Sequence, residues 1–141
     1  MITLYGTATS RAFRCLWMLE ELGLEYLHKP LDFRGKDLQS ADYLAINPNA
    51  RIPSLQDGQL TLWESMAINL YLAQQYGAAQ GLWQDSVASH ARAYQWSFWV
   101  MRDVEQPLLT VLIHKLFKPE AQRDPAKVSR NEGILRRPFK I

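Results

Sequence analysis

Asp57-Gly58 separates two short apolar runs, Ile52-Pro53-Ser54-Leu55 and Leu60-Thr61-Leu62-Trp63, and no other feature constrains the fold as much. An Asp-Gly pair flanked in this way predicts a two-residue β-hairpin turn. Pro53 stands at the entrance of the hairpin. A proline has no N–H for a sheet ladder, so it is confined to an edge or to the first residue of a strand. Past the hairpin, Glu64 opens a helical pattern with Ile68, Tyr71 and Leu72 on one face, and Gly77 ends it. The chain therefore carries a strand–strand–helix unit, with a proline where the first strand begins and a Glu-Ser pair where the helix begins.

The residues before this unit alternate in type. Ile2 to Tyr5 reads as a short buried strand, and Thr7-Ala8-Thr9-Ser10 as a small-residue loop with Ser10 as an N-cap. Ala12, Cys15, Leu16, Leu19 and Leu22 recur at helical spacing up to Gly23. Glu25 to Leu31 is expected as a second strand, Phe33 to Ser40 as a polar loop, and Asp42 to Ile46 as a short helix stopped at Asn47-Pro48. The order strand, helix, strand, helix, strand, strand, helix predicts a small α/β unit on one mixed sheet. Gly77 to Asp85 reads as a linker. The pattern then turns purely helical, with one long helix from Ser86 to about Phe117, disturbed at Pro107, and another from Pro125 onward that continues through Ile141.

The totals exclude several classes. The 141 residues, 48% hydrophobic and 21% charged, suffice for a core without disulfides or metal. A net charge of +2 makes no case for nucleic acid or an anionic membrane. The single cysteine, Cys15, fits a reducing compartment. The N-terminus shows neither a basic n-region nor a long apolar run, so the chain is read as cytoplasmic with no membrane span. His28, His90 and His114 lack metal-ligand spacing and are read as strand or helix-surface residues, with no metal expected.

Two short stretches carry binding chemistry. If the Ile52-Pro53 bond is cis, the chain turns sharply, and the Ile52 N–H and C=O face outward, where an extended peptide can add as one more strand. At Glu64-Ser65 the first helix N–H groups are free and the dipole is positive. Ser65 N–H and hydroxyl suit a ligand carboxylate, and Glu64 suits an ammonium group. Together they fit an α-amino acid head. Simple helix capping is the alternative reading of the pair.

Several motifs occur together: Thr9-Ser10, Leu19-Glu20-Glu21-Leu22-Gly23-Leu24, Asn47-Pro48, Arg51-Ile52-Pro53-Ser54-Leu55, Leu62-Trp63-Glu64-Ser65 and Ala67-Ile68-Asn69-Leu70-Tyr71-Leu72. In these the chain resembles the glutathione S-transferase family over roughly residues 1–80. The helix with Trp96, Phe98, Trp99 and Pro107 matches the start of the family's helical domain more loosely. The resemblance implies an α/β thioredoxin-like domain followed by a partial all-α domain: a glutathione-binding domain over 1–78, a linker over 79–85 and an incomplete helical domain over 86–141. It implies that Ile52 pairs through its backbone with the cysteinyl part of glutathione and that Pro53 is the cis-proline. Glu64 and Ser65 then hold the γ-glutamyl head, with Arg51 and Gln39 near the other polar groups. Leu38-Gln39 stands where certain classes carry a His-Lys pair, so the glycyl contact departs from theirs.

Ser10 is the catalytic candidate. A thiol with a pKa of about 8.5 is mostly protonated at neutral pH. A hydroxyl donating to the anion at a helix start favours the thiolate, and the serine-type classes that this chain resembles use this position in that role. Capping alone is the alternative. Tyr5 lies near the place where other classes carry a tyrosine and is read as a core residue or as one that backs the site. Cys15 shares the apolar stripe of Leu16 and Leu19 and is read as inert. Farther along, Tyr94, Phe98 and Met101 share one helix face and Trp96, Trp99 and Val100 another, so one face is expected to meet a partner or substrate. Phe33, Trp99, Arg102 and Gln106 are the candidates for an electrophile pocket.

The resemblance implies a glutathione transferase that uses glutathione as co-substrate, acts on a small hydrophobic electrophile in detoxification and forms a homodimer. A non-catalytic glutathione-binding or protein-interaction module is the second reading, and a glutathione-dependent reductase or peroxidase the third. Family members are usually longer. The chain is therefore expected to lack later helices, to be less stable than longer relatives, to associate through uncovered apolar faces and to have little activity.

Overall fold

The computed structural model describes residues 1–141 as two compact units, Met1–Ser86 and Val87–Ile141. In the first, strands β1 (Ile2–Tyr5), β2 (Tyr26–Lys29), β3 (Ser54–Asp57) and β4 (Leu60–Trp63) form one sheet in the order β2-β1-β3-β4. β1 runs parallel to β2 and antiparallel to β3, and β3 and β4 form the hairpin. Helices α1 (Ala12–Glu21), α2 (Ala41–Ile46) and α3 (Ser65–Tyr76) complete a thioredoxin-like βαβαββα arrangement, as expected. Side chains of β1 alternate between the sheet faces. Ile2 and Leu4 join Cys15, Leu19, Leu22, Leu55, Ile68 and Leu72 in one core. Tyr5 joins Leu38 and Tyr43 in the other.

Three local expectations shift. Asp57 pairs with Leu60, so the hairpin loop is Gly58-Gln59, one residue later than Asp57-Gly58. Gly58 takes a φ of 58°, which glycine adopts without a Cβ penalty. Asp57 stays in the ladder, and its carboxylate accepts hydrogen bonds from Tyr71 Oη (2.8 Å) and Tyr76 Oη. β2 is shorter than Glu25–Leu31 because Pro30 has no N–H to extend the ladder. The polar stretch 33–40 holds a 3₁₀ turn at Lys36–Gln39, where Leu38 is buried in the second core.

In the second unit, α4 (Val87–Trp99) and α5 (Glu105–Leu112) are joined by a π-helical segment, Val100–Val104, and a second one follows at Ile113–Phe117. The expected long helix is thus continuous but twice widened. Pro107 has no N–H for the carbonyl of Asp103, and its ring crowds that carbonyl. The first π segment ends at Val104, three residues before Pro107, and its wider turn takes up this mismatch. α6 (Pro125–Leu135) starts at Pro125, as expected, and Asp124 caps it by accepting from Lys127 N–H at 3.1 Å. It ends at Leu135 instead of running to Ile141, because Pro138 has no N–H for the carbonyl of Ile134, and a 3₁₀ turn, Pro138–Lys140, follows. The core is small: Val104, Val111 and Leu135. His114, expected on the surface, is buried, and its Nδ1 accepts from Asp124 N–H at 3.0 Å. α4 buries no side chain, and Tyr94, Trp96 and Phe98 are exposed. No helix is long and apolar enough to cross a membrane.

Candidate functional site

Sheet register brings three loops to one edge. Tyr5 pairs with Ser54, and Ser54 with Trp63. The loop bearing Ser10 therefore leaves β1 at the edge where Ile52-Pro53 enters β3 and where Glu64-Ser65 leaves β4. Gly6 holds two of these loops close. A Cβ on it would lie 2.8 Å from Ala12 Cβ and 3.0 Å from Ile52 Cβ, and its φ is 129°. His28 Nε2 donates to the Gly6 carbonyl at 2.7 Å, which assigns the ring proton to Nε2. Sequence reasoning passed over Gly6: a glycine after a strand signals a turn, and the close approach to Ile52 comes from the distant β3 loop.

The Ile52-Pro53 peptide bond is cis. No hydrogen bond within the chain engages the backbone N–H or C=O of Ile52. One residue earlier, the Arg51 carbonyl accepts from Tyr43 Oη at 2.6 Å and from Asn47 Nδ2 at 2.8 Å. The Arg51 side chain itself is exposed.

Glu64 has a φ of 73°, a region that non-glycine residues rarely occupy, at a cost on the order of 1–3 kcal/mol. Its side chain is exposed and makes no capping hydrogen bond, so simple capping does not describe Glu64. Its carbonyl accepts the first helical bond, from Ile68 N–H at 3.0 Å. Ser65 is buried at 2% exposure, and its hydroxyl accepts from Arg14 Nη1 at 3.2 Å. Arg14 was not foreseen. It lies on α1, and only the packing of α1 on α3 brings its guanidinium to Ser65.

Ser10 lies one residue before the N-cap position, which Arg11 occupies. Its hydroxyl still serves the helix start, accepting from Ala12 N–H at 3.1 Å and donating to the Thr7 carbonyl at 2.7 Å. The hydroxyls of Thr7 and Thr9 are 3.1 Å apart beside it. Tyr5 is buried and its phenol donates to Gln56 Oε1 at 2.6 Å, so its proton is already placed. Cys15 is fully buried. Burial pushes its thiol up to about 12, against a smaller opposing pull from Arg14, so the sulfur stays neutral.

Trp99, Arg102 and Gln106 line one cavity of about 720 Å³ within the helical unit, together with Pro107, Asn131 and Arg137. Phe33 belongs to the first unit, half exposed, with the Arg34 guanidinium over its ring, and does not line that cavity. Gln39 is exposed at the end of the 3₁₀ turn.

The family model described as "Glutathione S-transferase, N-terminal domain" matches residues 1–74. The glutathione S-transferase GstB of Escherichia coli is 38% identical over 134 residues, covering 91% of this chain and 62% of that protein. The protein URE2 of Eremothecium gossypii is 34% identical over 92% of this chain and 38% of its own length. This chain thus spans about three fifths of the first of these relatives. Among solved structures, the theta class glutathione S-transferase of Xanthomonas axonopodis pv. citri with glutathione bound superposes with a TM-score of 0.81 at 34% identity, over 92% of this chain and 62% of that one. Ure2p in complex with glutathione superposes with a TM-score of 0.81 at 28% identity, over 99% of this chain and 60% of that one.

Proposed function

We propose, from the premise that this chain belongs to the glutathione S-transferase family, that it binds glutathione at the sheet edge and transfers its thiolate to a small hydrophobic electrophile. The observation that carries this reading is the row Tyr5–Ser54–Trp63, which collects the Ser10 loop, Ile52-Pro53 and Glu64-Ser65 at one edge. In this reading the Ile52 N–H and C=O extend the sheet with the cysteinyl residue. The exposed Glu64 carboxylate takes the γ-glutamyl ammonium, and the Ser65 hydroxyl, with Arg14 beside it, takes the carboxylate. Arg51 and Gln39 lie toward the remaining polar groups. Ser10 exchanges the Thr7 carbonyl for the sulfur, a rotation about one bond, and its proton then stabilises the thiolate. The thiolate attacks an electrophilic carbon, forming a C–S bond as the leaving group departs or a proton adds. Trp99, Arg102 and Gln106, which line one cavity of the helical unit, are assigned to the acceptor, and Phe33 is the fourth residue assigned to it. The protein acts in the cytoplasm as a homodimer, in detoxification.

A non-catalytic module is the second reading. It is favoured by likeness to a nitrogen regulation fragment of the yeast prion protein Ure2p, which superposes with a TM-score of 0.79 at 29% identity. Calorimetric titration of glutathione into this chain, beside a Glu64→Ala/Ser65→Ala control, tests the site common to both readings. Saturable binding abolished in the control is expected, and its absence in a folded protein overturns both. Turnover of a generic aryl halide electrophile, lost in Ser10→Ala while glutathione still binds, separates them. A glutathione-dependent reductase or peroxidase relying on Cys15 fits poorly with a fully buried, neutral thiol.

A further inference from the structure

A closed polar network lies behind the loop that enters β3. Tyr43, Asn47 and Ser54 are 3%, 2% and 0% exposed. The Tyr43 phenol donates to the Arg51 carbonyl, so the 2.9 Å contact between Tyr43 Oη and Ser54 Oγ is donated by the serine. The two protons of the Asn47 amide go to the Arg51 carbonyl at 2.8 Å and to Ser54 Oγ at 3.2 Å. Asn47 Oδ1 accepts from Asn49 N–H at 3.0 Å and from Asn49 Nδ2 at 3.1 Å. Each named side-chain donor hydrogen is used once, in one consistent direction, and Asn47 Oδ1 and the Arg51 carbonyl each take two bonds. A buried network satisfied in this way has a single low-energy arrangement.

The Arg51-Ile52 peptide bond is trans. In a planar trans peptide the C=O and the N–H point in opposite directions. Two donors from α2 and its C-terminus pull the Arg51 carbonyl inward, so the Ile52 N–H points outward, away from the network. That N–H is one of the two Ile52 backbone groups with no partner in the chain. Sequence gives no hint of this. Tyr43 falls within the expected short helix and Asn47 at its stop, and the carbonyl they hold belongs to a loop.

We infer that Tyr43 and Asn47 are positioning residues for ligand recognition: by holding the Arg51 carbonyl, they set the direction in which the Ile52 N–H is offered to the cysteinyl carbonyl of glutathione. This rests on the proposed function and adds residues that touch no ligand. Ser54 ties both to the first residue of β3, so the direction is referred to the sheet itself.

The test is made on the whole chain, with Tyr43→Phe and Asn47→Ala, by calorimetric titration of glutathione and amide hydrogen exchange at Ile52 and Ser65. In the wild type, the Ile52 amide should exchange rapidly without glutathione and become protected with it. In each folded variant, glutathione affinity should fall about tenfold, the equivalent of a well-made hydrogen bond. Protection by glutathione should be lost at Ile52 and kept at Ser65. A purely structural role would lower the melting temperature and leave both affinity and the Ile52 protection of the folded protein unchanged, and that result overturns the inference. Should a variant not fold, the wild-type exchange still decides: an Ile52 amide already protected without glutathione overturns the assigned direction. A wild type that binds no glutathione overturns the proposed function, and the inference with it. A wild type that binds while Tyr43→Phe binds equally well overturns the inference alone.

Discussion

At Ser10 the question is how much one hydroxyl can do for a thiol. Lowering a thiol pKa by two units corresponds to about 2.7 kcal/mol. Ser10→Ala should therefore cut the thiolate fraction, and with it turnover at pH 7, by about 25-fold with glutathione affinity little changed. The loss should shrink as pH rises toward the free thiol pKa, because hydroxide then supplies the anion that Ser10 no longer stabilises. A pH–rate profile shifted upward in the variant is the expected outcome, and an unshifted profile assigns the thiolate to another donor. Cys15 makes the opposite case. Burial raises its pKa from 9.0 to about 12, so folding favours the neutral thiol. Below pH 9 both folded and unfolded chains hold that proton, and it contributes no pH dependence. Between pH 9 and 12 only the unfolded chain ionises, so stability should fall with rising pH. Urea midpoints measured across this range should drop more steeply in the wild type than in Cys15→Ala. Tyr26, pushed up to about 12 chiefly by its hydrogen bond to Glu20, adds to the alkaline loss in both proteins.

At the scale of elements, what was legible from the sequence was whatever is written in neighbouring residues. Periodicity and punctuation carried the order of strands and helices, the hairpin, and the proline at the start of α6. The burial of His114 and the one-residue shift of the hairpin depend on contacts between distant segments, and no local pattern encodes them. The candidate site divides in the same way. Pro53 and Glu64-Ser65 stand out as residue types in unusual places, whereas Gly6, Arg14, Tyr43 and Asn47 acquire meaning only when β1, α1, α2 and β3 come together. Gly6 gives a direct check on that meeting. Gly6→Ala would place a methyl 2.8 Å from Ala12 Cβ and 3.0 Å from Ile52 Cβ at a φ of 129°, so the β1–α1 loop and the Ile52 loop must part. A lower melting temperature together with weaker glutathione binding is expected, whereas Thr9→Ala, at an exposed neighbour in the same loop, should leave the melting temperature nearly unchanged. α6 offers a second check. Asp124 caps it through Lys127 N–H, which holds the Asp124 carboxyl below its usual range. A depressed carboxylate contributes stability above its unfolded pKa of 3.8 and loses it as pH falls through the lower folded value. Asp124→Ala should reduce helicity at neutral pH, whereas Asp124→Asn, which keeps the accepting oxygen, should largely preserve it, as circular dichroism would report.

For the whole molecule, the two units differ in what holds them together and in the chemistry they carry. The first buries side chains on both faces of a four-stranded sheet, with Leu4, Leu19, Leu55, Ile68 and Leu72 fully enclosed. The second encloses only Val104, Val111 and Leu135 at its core, and its first helix buries nothing. So small a core rarely sustains a cooperative fold alone. All the residues assigned to glutathione, from Ser10 to Ser65, lie in Met1–Ser86, and three of the four assigned to the acceptor lie in Val87–Ile141. Residues 1–86 produced alone should then melt cooperatively and bind glutathione within a few-fold of the whole chain's affinity, while residues 87–141 should show helical circular dichroism without a cooperative transition. If the cavity at Trp99, Arg102 and Gln106 serves the acceptor, the short form should bind glutathione yet conjugate an aryl halide far more slowly than the whole chain. Equal turnover by both forms would remove the helical unit from catalysis. Equal binding with no turnover by either would favour the module over the enzyme.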